Sequence, residues 1–492
     1  MNNVPSIIAE VTPADWLATG DGWTHWPYLA RFKADGLPKD WRTFLKGRFA
    51  AVLESGRTGS LCFAVPTSDS TKVFGANGRV VTHGTSGAYE SPTEKSLEYL
   101  KHWAQAHRAP RLLGWPDFQG GLILALGYDL AAQFEPVSPA AADPATPTAV
   151  ILEANEVCIF DKNLGELTVA ILCSVHDRPE AVWRLARSRA QALAAEWVEA
   201  LQTPAPRFTA TQTPAIAIAE SLPSPAFQSA VQKIQEYIAA GDTYQVNLST
   251  RLELPNVDLA LAYEAMRQAN PSPYMGYLRF PGGALACGSP ELLVEVSKGK
   301  IFSRPIAGTR PRGADDAADE AWAKELSANS KERAEHLMLV DLLRNDVGRV
   351  ALPGTVNVPE FMAIERYSHV MHLVSQVEGR IHPQAGAAEI IRALFPGGTI
   401  TGAPKVRTMQ IISEVEPCAR GFYTGSMGWL SASGDLCLNI IIRSLWSYEG
   451  RTFVQAGAGI VADSDPAQEY AESIRKAQAP LIAAARAAQS PC

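Results

Sequence analysis

The chain has 492 residues, 47% hydrophobic and 19% charged, enough to bury a sizeable core spread over roughly two to four domains. Its formal net charge of −7 weighs against a nucleic-acid partner, whose phosphates call for clustered Lys and Arg. The start, MNNVPSIIAEVTPADW, has no basic segment or long apolar stretch, the densest apolar run (Gly120–Tyr128) is too short to span a bilayer, and the seven cysteines form no Cys-x-x-Cys pair, so no membrane, zinc or disulfide framework is expected and a reducing cytoplasm fits best.

Along the first 201 residues, short β-rich runs such as Val150–Phe160 and Leu167–Val175 alternate with loops. Glu180–Leu201 reads as one long helix rich in Ala, Arg and Leu. Gln202–Leu222 is crowded with Pro, Thr and Ala and lacks apolar periodicity, so residues 202–222 read as a linker between an N-terminal region, 1–201, and a second region, 223–488. Ser224-Pro225 opens a helix with Ser224 as N-cap; Phe227, Val231, Ile234 and Ile238 recur at helical spacing, and Gly241 closes it. A strand follows at Tyr244–Leu252, and strands and helices then alternate to about Ala485.

Four patterns in the second region carry chemistry. Glu332 and Glu335 stand three apart on a predicted helix, and Glu469 and Glu472 repeat that spacing on the helix Pro466–Ala485, with Lys476 one turn on. Each pair alone reads as a solvated face, but two pairs facing each other make an oxygen-only site suited to Mg²⁺. In Gln455–Ile460, Gly457 and Gly459 let backbone N–H groups approach an anion, although a plain turn explains them equally. Arg443, in the apolar run Leu438–Leu445, is expected in a buried strand, where its fork holds either a substrate carboxylate or a structural partner. The run Phe395–Lys405, with Thr399 in its middle, offers backbone and hydroxyl groups near a ligand, or only a loop. His372 and Glu291 lie in apolar contexts, where a satisfied core residue is the usual explanation. Together these features point to a metal-assisted enzyme acting on a small carboxylate.

Taken in order, Pro305-Ile306-Ala307-Gly308-Thr309, KERAEHLMLVDLLRND (Lys331–Asp346), FPGGTITGAPK (Phe395–Lys405) and AGAGIVADSDPAQEYAESIRKA (Ala456–Ala477) resemble the chorismate-utilising enzymes, and the resemblance runs from about Ser224 to Lys476. It implies an α+β fold, a two-layer α/β sandwich of packed antiparallel β-sheets with outer helices. It also implies Mg²⁺ bridging a chorismate carboxylate, with Glu335 and Glu472 as the nearest ligands and Glu332 and Glu469 assisting. By motif position, Tyr423, Arg443, Gly457, Gly459 and Lys476 resemble the residues that bind substrate carboxylates. Thr399 and His372 resemble those beside the ring and its leaving hydroxyl, and Glu291 resembles a general acid or base.

The members of this family that use water carry a lysine in the strand matching Tyr244–Ser249. Gln245 stands here and cannot be a general base, so ammonia is the expected nucleophile. Tyr244–Leu248, Asp341–Asp346, Phe395–Gly398, Gly127–Leu130 and Gly425–Trp429 look like the branch that makes 4-amino-4-deoxychorismate, whereas Ile364–His372 and Asn270–Met275 look like the anthranilate branch. Ala307 occupies the position of the lysine found in well-studied members of the former branch. The reading favoured is 4-amination, with anthranilate synthesis as the alternative and a non-catalytic tryptophan-binding subunit as a remote one. Leu53-Glu54-Ser55, with Pro271, Tyr274 and Met275, resembles the family's tryptophan-binding element, or is merely a strand end and a loop. No Cys/His/Glu glutaminase pattern occurs, so a separate glutamine amidotransferase is the expected source of ammonia.

Overall fold

The computed structural model describes residues 5–56, 59–138, 140, 146–175, 178–208, 214–215, 217–366 and 370–489. Tyr367, Ser368 and His369, part of one motif used to weigh the branches, lie outside the described residues, as does part of the 202–222 segment.

Among the described residues, thirteen strands form one sheet and twelve another, and every strand pairing is antiparallel. Both sheets mix strands from either side of the 202–222 segment. In the first, Ala50–Glu54 pairs with Tyr274–Phe280; in the second, Gly121–Leu126 pairs with Ser426–Ser431. The two regions are therefore halves of one sandwich. The 202–222 segment is itself stitched in, because Ala219–Glu220 adds a short edge strand against Leu252 and Glu253.

Strand sequences buried on both faces read as continuous apolar runs rather than alternating ones. Gly121–Leu126 shows this: Ile123 and Ala125 join the core shared with the first sheet, while Leu122, Leu124 and Leu126 pack outward with Leu100 and Trp103 of the helix Ser96–Ala106. Helices cover both outer faces. Pro179–Leu201 lies on the first sheet with Ala190, Leu193 and Trp197 buried, and Ser330–Gly348 lies on the second with Val340, Leu343 and Val347 buried. The helix expected after the linker spans Ser224–Ala239, so Ser224 is its first residue and not its cap; no side chain caps it.

Two of the chain's crossings between the sheets lie at adjacent places. Gly283–Ser289 belongs to the first sheet and Leu292–Ser297 to the second, and Glu291 lies in the step between them. Leu436–Asn439 of the second sheet and Ser444–Tyr448 of the first are likewise joined by residues 440–443. The crossovers touch, with Ile440 N–H donating to Glu291 O at 3.1 Å. Loops held by two rigid sheets are well placed to carry a site.

Candidate active site

Glu291 is the buried acid of the first crossover. It is 9% exposed, and Thr399 Oγ1 donates to its Oε1 at 2.7 Å. Thr399 sits in the 3-10 turn Gly398–Ile400, which brings it from 108 residues away. Burial pushes the Glu291 carboxyl up to about 7, against the opposing pull of the Thr399 hydroxyl and of the cations Arg443 and Lys476. Glu291 is thus buried and hydrogen-bonded, as its apolar surroundings suggest, and its raised value lets it hold a proton near neutral pH.

Arg443 departs from the sequence expectation. It is not in a strand: it closes the second crossover in a left-handed conformation with φ 52°, and although its surface is exposed, burial of the guanidinium lowers its pKa. Such a conformation is uncommon for a side-chain-bearing residue and is found where the surrounding structure enforces it. Arg443 makes no hydrogen bond or ion pair among the described residues, so its fork is available to a ligand anion.

The glycines stand inside the strand Arg451–Ile460, opposite the strand Gln245–Leu254, with Gly459 facing Asn247 and Gly457 facing Ser249. A side chain at Gly457 would strike backbone, and one at Gly459 would have to displace the end of Gln245. A Cβ on Gly459 would meet Gln245 Nε2 at 2.6 Å, and one on Gly457 would meet Leu248 O at 2.3 Å. Lys476 Nζ donates to Gly457 O at 3.2 Å and pairs with Glu472 at 2.8 Å. Tyr423 is buried, with the Arg420 guanidinium 5.6 Å from its ring.

The four glutamates occupy the first two turns of two helices, Ser330–Gly348 and Pro466–Ala488, Glu332 and Glu469 in the first turn and Glu335 and Glu472 in the second; the helix starts are tied by Lys331 to Asp463 at 3.3 Å. Glu335 accepts from Gln245 Nε2 at 3.0 Å, Glu332 from Arg310 at 3.1 Å, and Glu469 from Ser464 Oγ at 2.7 Å. As donors they suit a hard cation, being carboxylate oxygens on neighbouring helices. Among the described residues, however, no three acidic, histidine or cysteine side chains converge as a metal site.

His372 lies on the strand Val370–Arg380. Its Nδ1 stands 3.2 Å from Gly308 O, which makes Nδ1 the protonated nitrogen, and 3.0 Å from Thr309 Oγ1. Burial pushes its pKa below the ordinary value. Ala307, two residues before Thr309, is 7% exposed on Ile306–Pro311 and faces Leu373. Gly308, with φ 62°, turns the chain beside Glu332: a Cβ there would stand 2.9 Å from Glu332 Oε2.

A description of chorismate binding enzymes matches residues 59–481. The chain belongs to the chorismate-binding enzyme family. It is 44% identical over 430 residues to aminodeoxychorismate synthase component 1 of Bacillus subtilis (strain 168), covering 87% of this chain and 89% of the relative. It is 43% identical over 456 residues to anthranilate synthase component 1 of Streptomyces coelicolor, covering 89% and 86%. The crystal structure of anthranilate synthase component I from Streptococcus pneumoniae TIGR4 superposes with a TM-score of 0.73 at 30% identity, over 86% of this chain and 92% of that one. The menaquinone-specific isochorismate synthase of Escherichia coli shares the fold, with a TM-score of 0.66 at 19% identity, over 96% and 99%.

Within this family member, sequence reading missed the pair that ties the site together. Arg420, 1% exposed, is clamped by Glu416 (2.6 and 2.9 Å) and donates to Ile400 O, Asn247 O and Thr424 Oγ1. It fixes the Thr399 turn, the Gln245 strand and the Tyr423 turn to one another; Glu416 and Arg420 lie beyond the end of the helix Lys405–Val415, so no helical spacing signalled the pair. A cavity of about 330 Å³ opens between the sheets and is lined by Leu53, Ser55, Phe63, Tyr274, Met275 and Trp429. It gathers the expected tryptophan element except Pro271, whose place on the wall Pro273 takes. The Glu54 carboxylate is already taken up by Trp41 Nε1, Tyr263 and Arg267.

Proposed function

We propose that this chain aminates chorismate to 4-amino-4-deoxychorismate in the cytoplasm, using ammonia released by a separate glutamine amidotransferase. The observation that carries the chemistry is Glu291, a carboxyl raised to about 7 and oriented by Thr399, beside the unpaired cation Arg443. Chorismate is a dianion: Arg443 and Lys476 offset its charge, and the Gly457 and Gly459 strand lets it approach the backbone. Ammonia's lone pair forms the new C–N bond as the bond to the ring hydroxyl breaks. Glu291 gives its proton to that hydroxyl, which leaves as water, and the proton lost from nitrogen restores the acid. His372, protonated on Nδ1, lines the ring side.

Mg²⁺, held by Glu335 and Glu472 with Glu332 and Glu469 assisting, would neutralise a substrate carboxylate. The 4-amino branch is supported by 44% identity to a namesake relative. The anthranilate reading is supported by 43% identity to another and by Ala307, which stands where the lysine of the 4-amino branch is expected. The inter-sheet cavity supports tryptophan as its occupant, since its apolar walls and volume suit an indole. The test is ammonium-dependent consumption of chorismate with Mg²⁺ present. Turnover that vanishes in Glu291→Gln supports the assignment, and full turnover in that variant rejects Glu291 as the acid.

A further inference from the structure

The strand Gln245–Leu254 sends Val246 and Leu248 to one face, where they pack with Phe227 and Ile234, and Gln245, Asn247 and Ser249 to the other, which is the face of the site. Two of those three side chains are committed. Gln245 donates to Glu335, and the Ser249 hydroxyl donates to Glu416 Oε1 at 2.8 Å and accepts from Gln455 Nε2 at 2.9 Å. Asn247 differs. Its backbone N–H donates to Thr401 O and its backbone carbonyl accepts from Arg420, so the main chain is pinned. Among the described residues its carboxamide has no hydrogen-bond partner, and Oδ1 is buried. Gly457 leaves the room for it: a Cβ there would stand 2.9 Å from Asn247 Oδ1. A buried acceptor without a donor costs stability that an apolar side chain of the same shape would not.

We propose that Asn247 contacts the reactants directly, its carboxamide oxygen accepting a hydrogen bond from an O–H or N–H donor bound beside Gly457. This rests on the amination reading, in which such donors are few. The chorismate dianion offers carboxylate and ether oxygens, which are acceptors, and one ring hydroxyl; the other donor is ammonia. Asn247 thereby makes a site built for anions selective for the reactant that brings a donor.

The experiment uses the full chain with Asn247→Leu, near in shape and without polar atoms, and Asn247→Ala. Melting temperature is measured beside kcat and KM, with chorismate and ammonium varied separately. No protein hydrogen bond is lost, so the expected melting temperature equals or exceeds that of the wild type, while kcat/KM falls about tenfold or more. A fall confined to the ammonium series identifies ammonia as the donor, and a weakened chorismate affinity identifies the hydroxyl. Unchanged kcat/KM in both variants, or activity lost only in step with melting temperature, overturns the proposal while leaving the amination reading intact. A wild-type protein without ammonium-dependent turnover removes that reading and this proposal together.

Discussion

Thr399 Oγ1 donates to Glu291 Oε1 at 2.7 Å, joining a 3-10 turn to the step where the chain passes from one sheet to the other. The bond favours the carboxylate, burial favours the carboxylic acid, and burial wins, leaving the group at about 7. The acid is thus tuned by its two surroundings and held in a fixed direction.

The first prediction concerns pH. Because the folded-state value lies above the ordinary 4.5, the protonated form is complete at low pH and is lost as pH rises through about 7. Turnover that depends on Glu291 as an acid therefore declines on the alkaline side of neutrality. Thr399→Ala removes a bond to the carboxylate, so the alkaline limb moves to higher pH. Rate profiles of the two proteins check this; an unmoved limb in Thr399→Ala contradicts it. The same linkage predicts that Glu291→Gln gains stability relative to wild type between pH 5 and 8, by up to ~3 kcal/mol, read from denaturant melts.

Arg443→Ala separates binding from stability. The side chain is exposed and unpaired, so melting temperature should hold within a degree or two. A charge-assisted bond to substrate is worth roughly 1.5–3 kcal/mol, so kcat/KM for chorismate should drop about 10–100-fold. Unaltered chorismate dependence would show that the arginine faces no ligand.

Lys405 behaves in the opposite way. Its Nζ meets Asp346 Oδ2 at 2.6 Å, with side chains 9% and 8% exposed, and it also donates to Leu394 O. This commitment removes it as a stand-in for the lysine absent at Ala307. Lys405→Met strands a buried carboxylate and should cost about 3–5 kcal/mol of stability. Chemical denaturation measures it, and a loss under 1 kcal/mol rejects the pair as an anchor.

Glu335→Gln and Glu472→Gln each remove one anionic oxygen from the acidic helix starts. Calorimetric titration with Mg²⁺ should show weakened binding in both, with far-ultraviolet circular dichroism unchanged. Wild-type Mg²⁺ affinity in either variant excludes that residue as a ligand.

What could be read from sequence follows the range of the interactions involved. Helical periodicity is local, so Pro179–Leu201 and the acid-bearing helices were legible to within a few residues. Arg443 was not, because an apolar run looks the same whether it is one strand or two strands in different sheets joined by a left-handed residue. Contacts across the chain, such as Gln245 with Glu335 or Arg420 with Asn247, leave no periodic trace and emerge only from topology. The segment 202–222 has the composition of a linker, yet Ala219–Glu220 pairs because the edge of Gln245–Leu254 was open to it. The expected tryptophan element gathered round a real cavity, but Glu54 was spoken for by an arginine 213 residues away.

Product identity decides whether a chain with alanine at position 307 carries out 4-amination of chorismate. Wild type and Ala307→Lys are incubated with chorismate, Mg²⁺ and ammonium, and the products are resolved by chromatography. One aliquot is treated with a lyase that converts 4-amino-4-deoxychorismate to 4-aminobenzoate. The wild-type reaction should give 4-aminobenzoate, with Ala307→Lys yielding more of the 4-amino product. Fluorescent anthranilate as the main wild-type product would contradict it and assign the chain to the anthranilate branch.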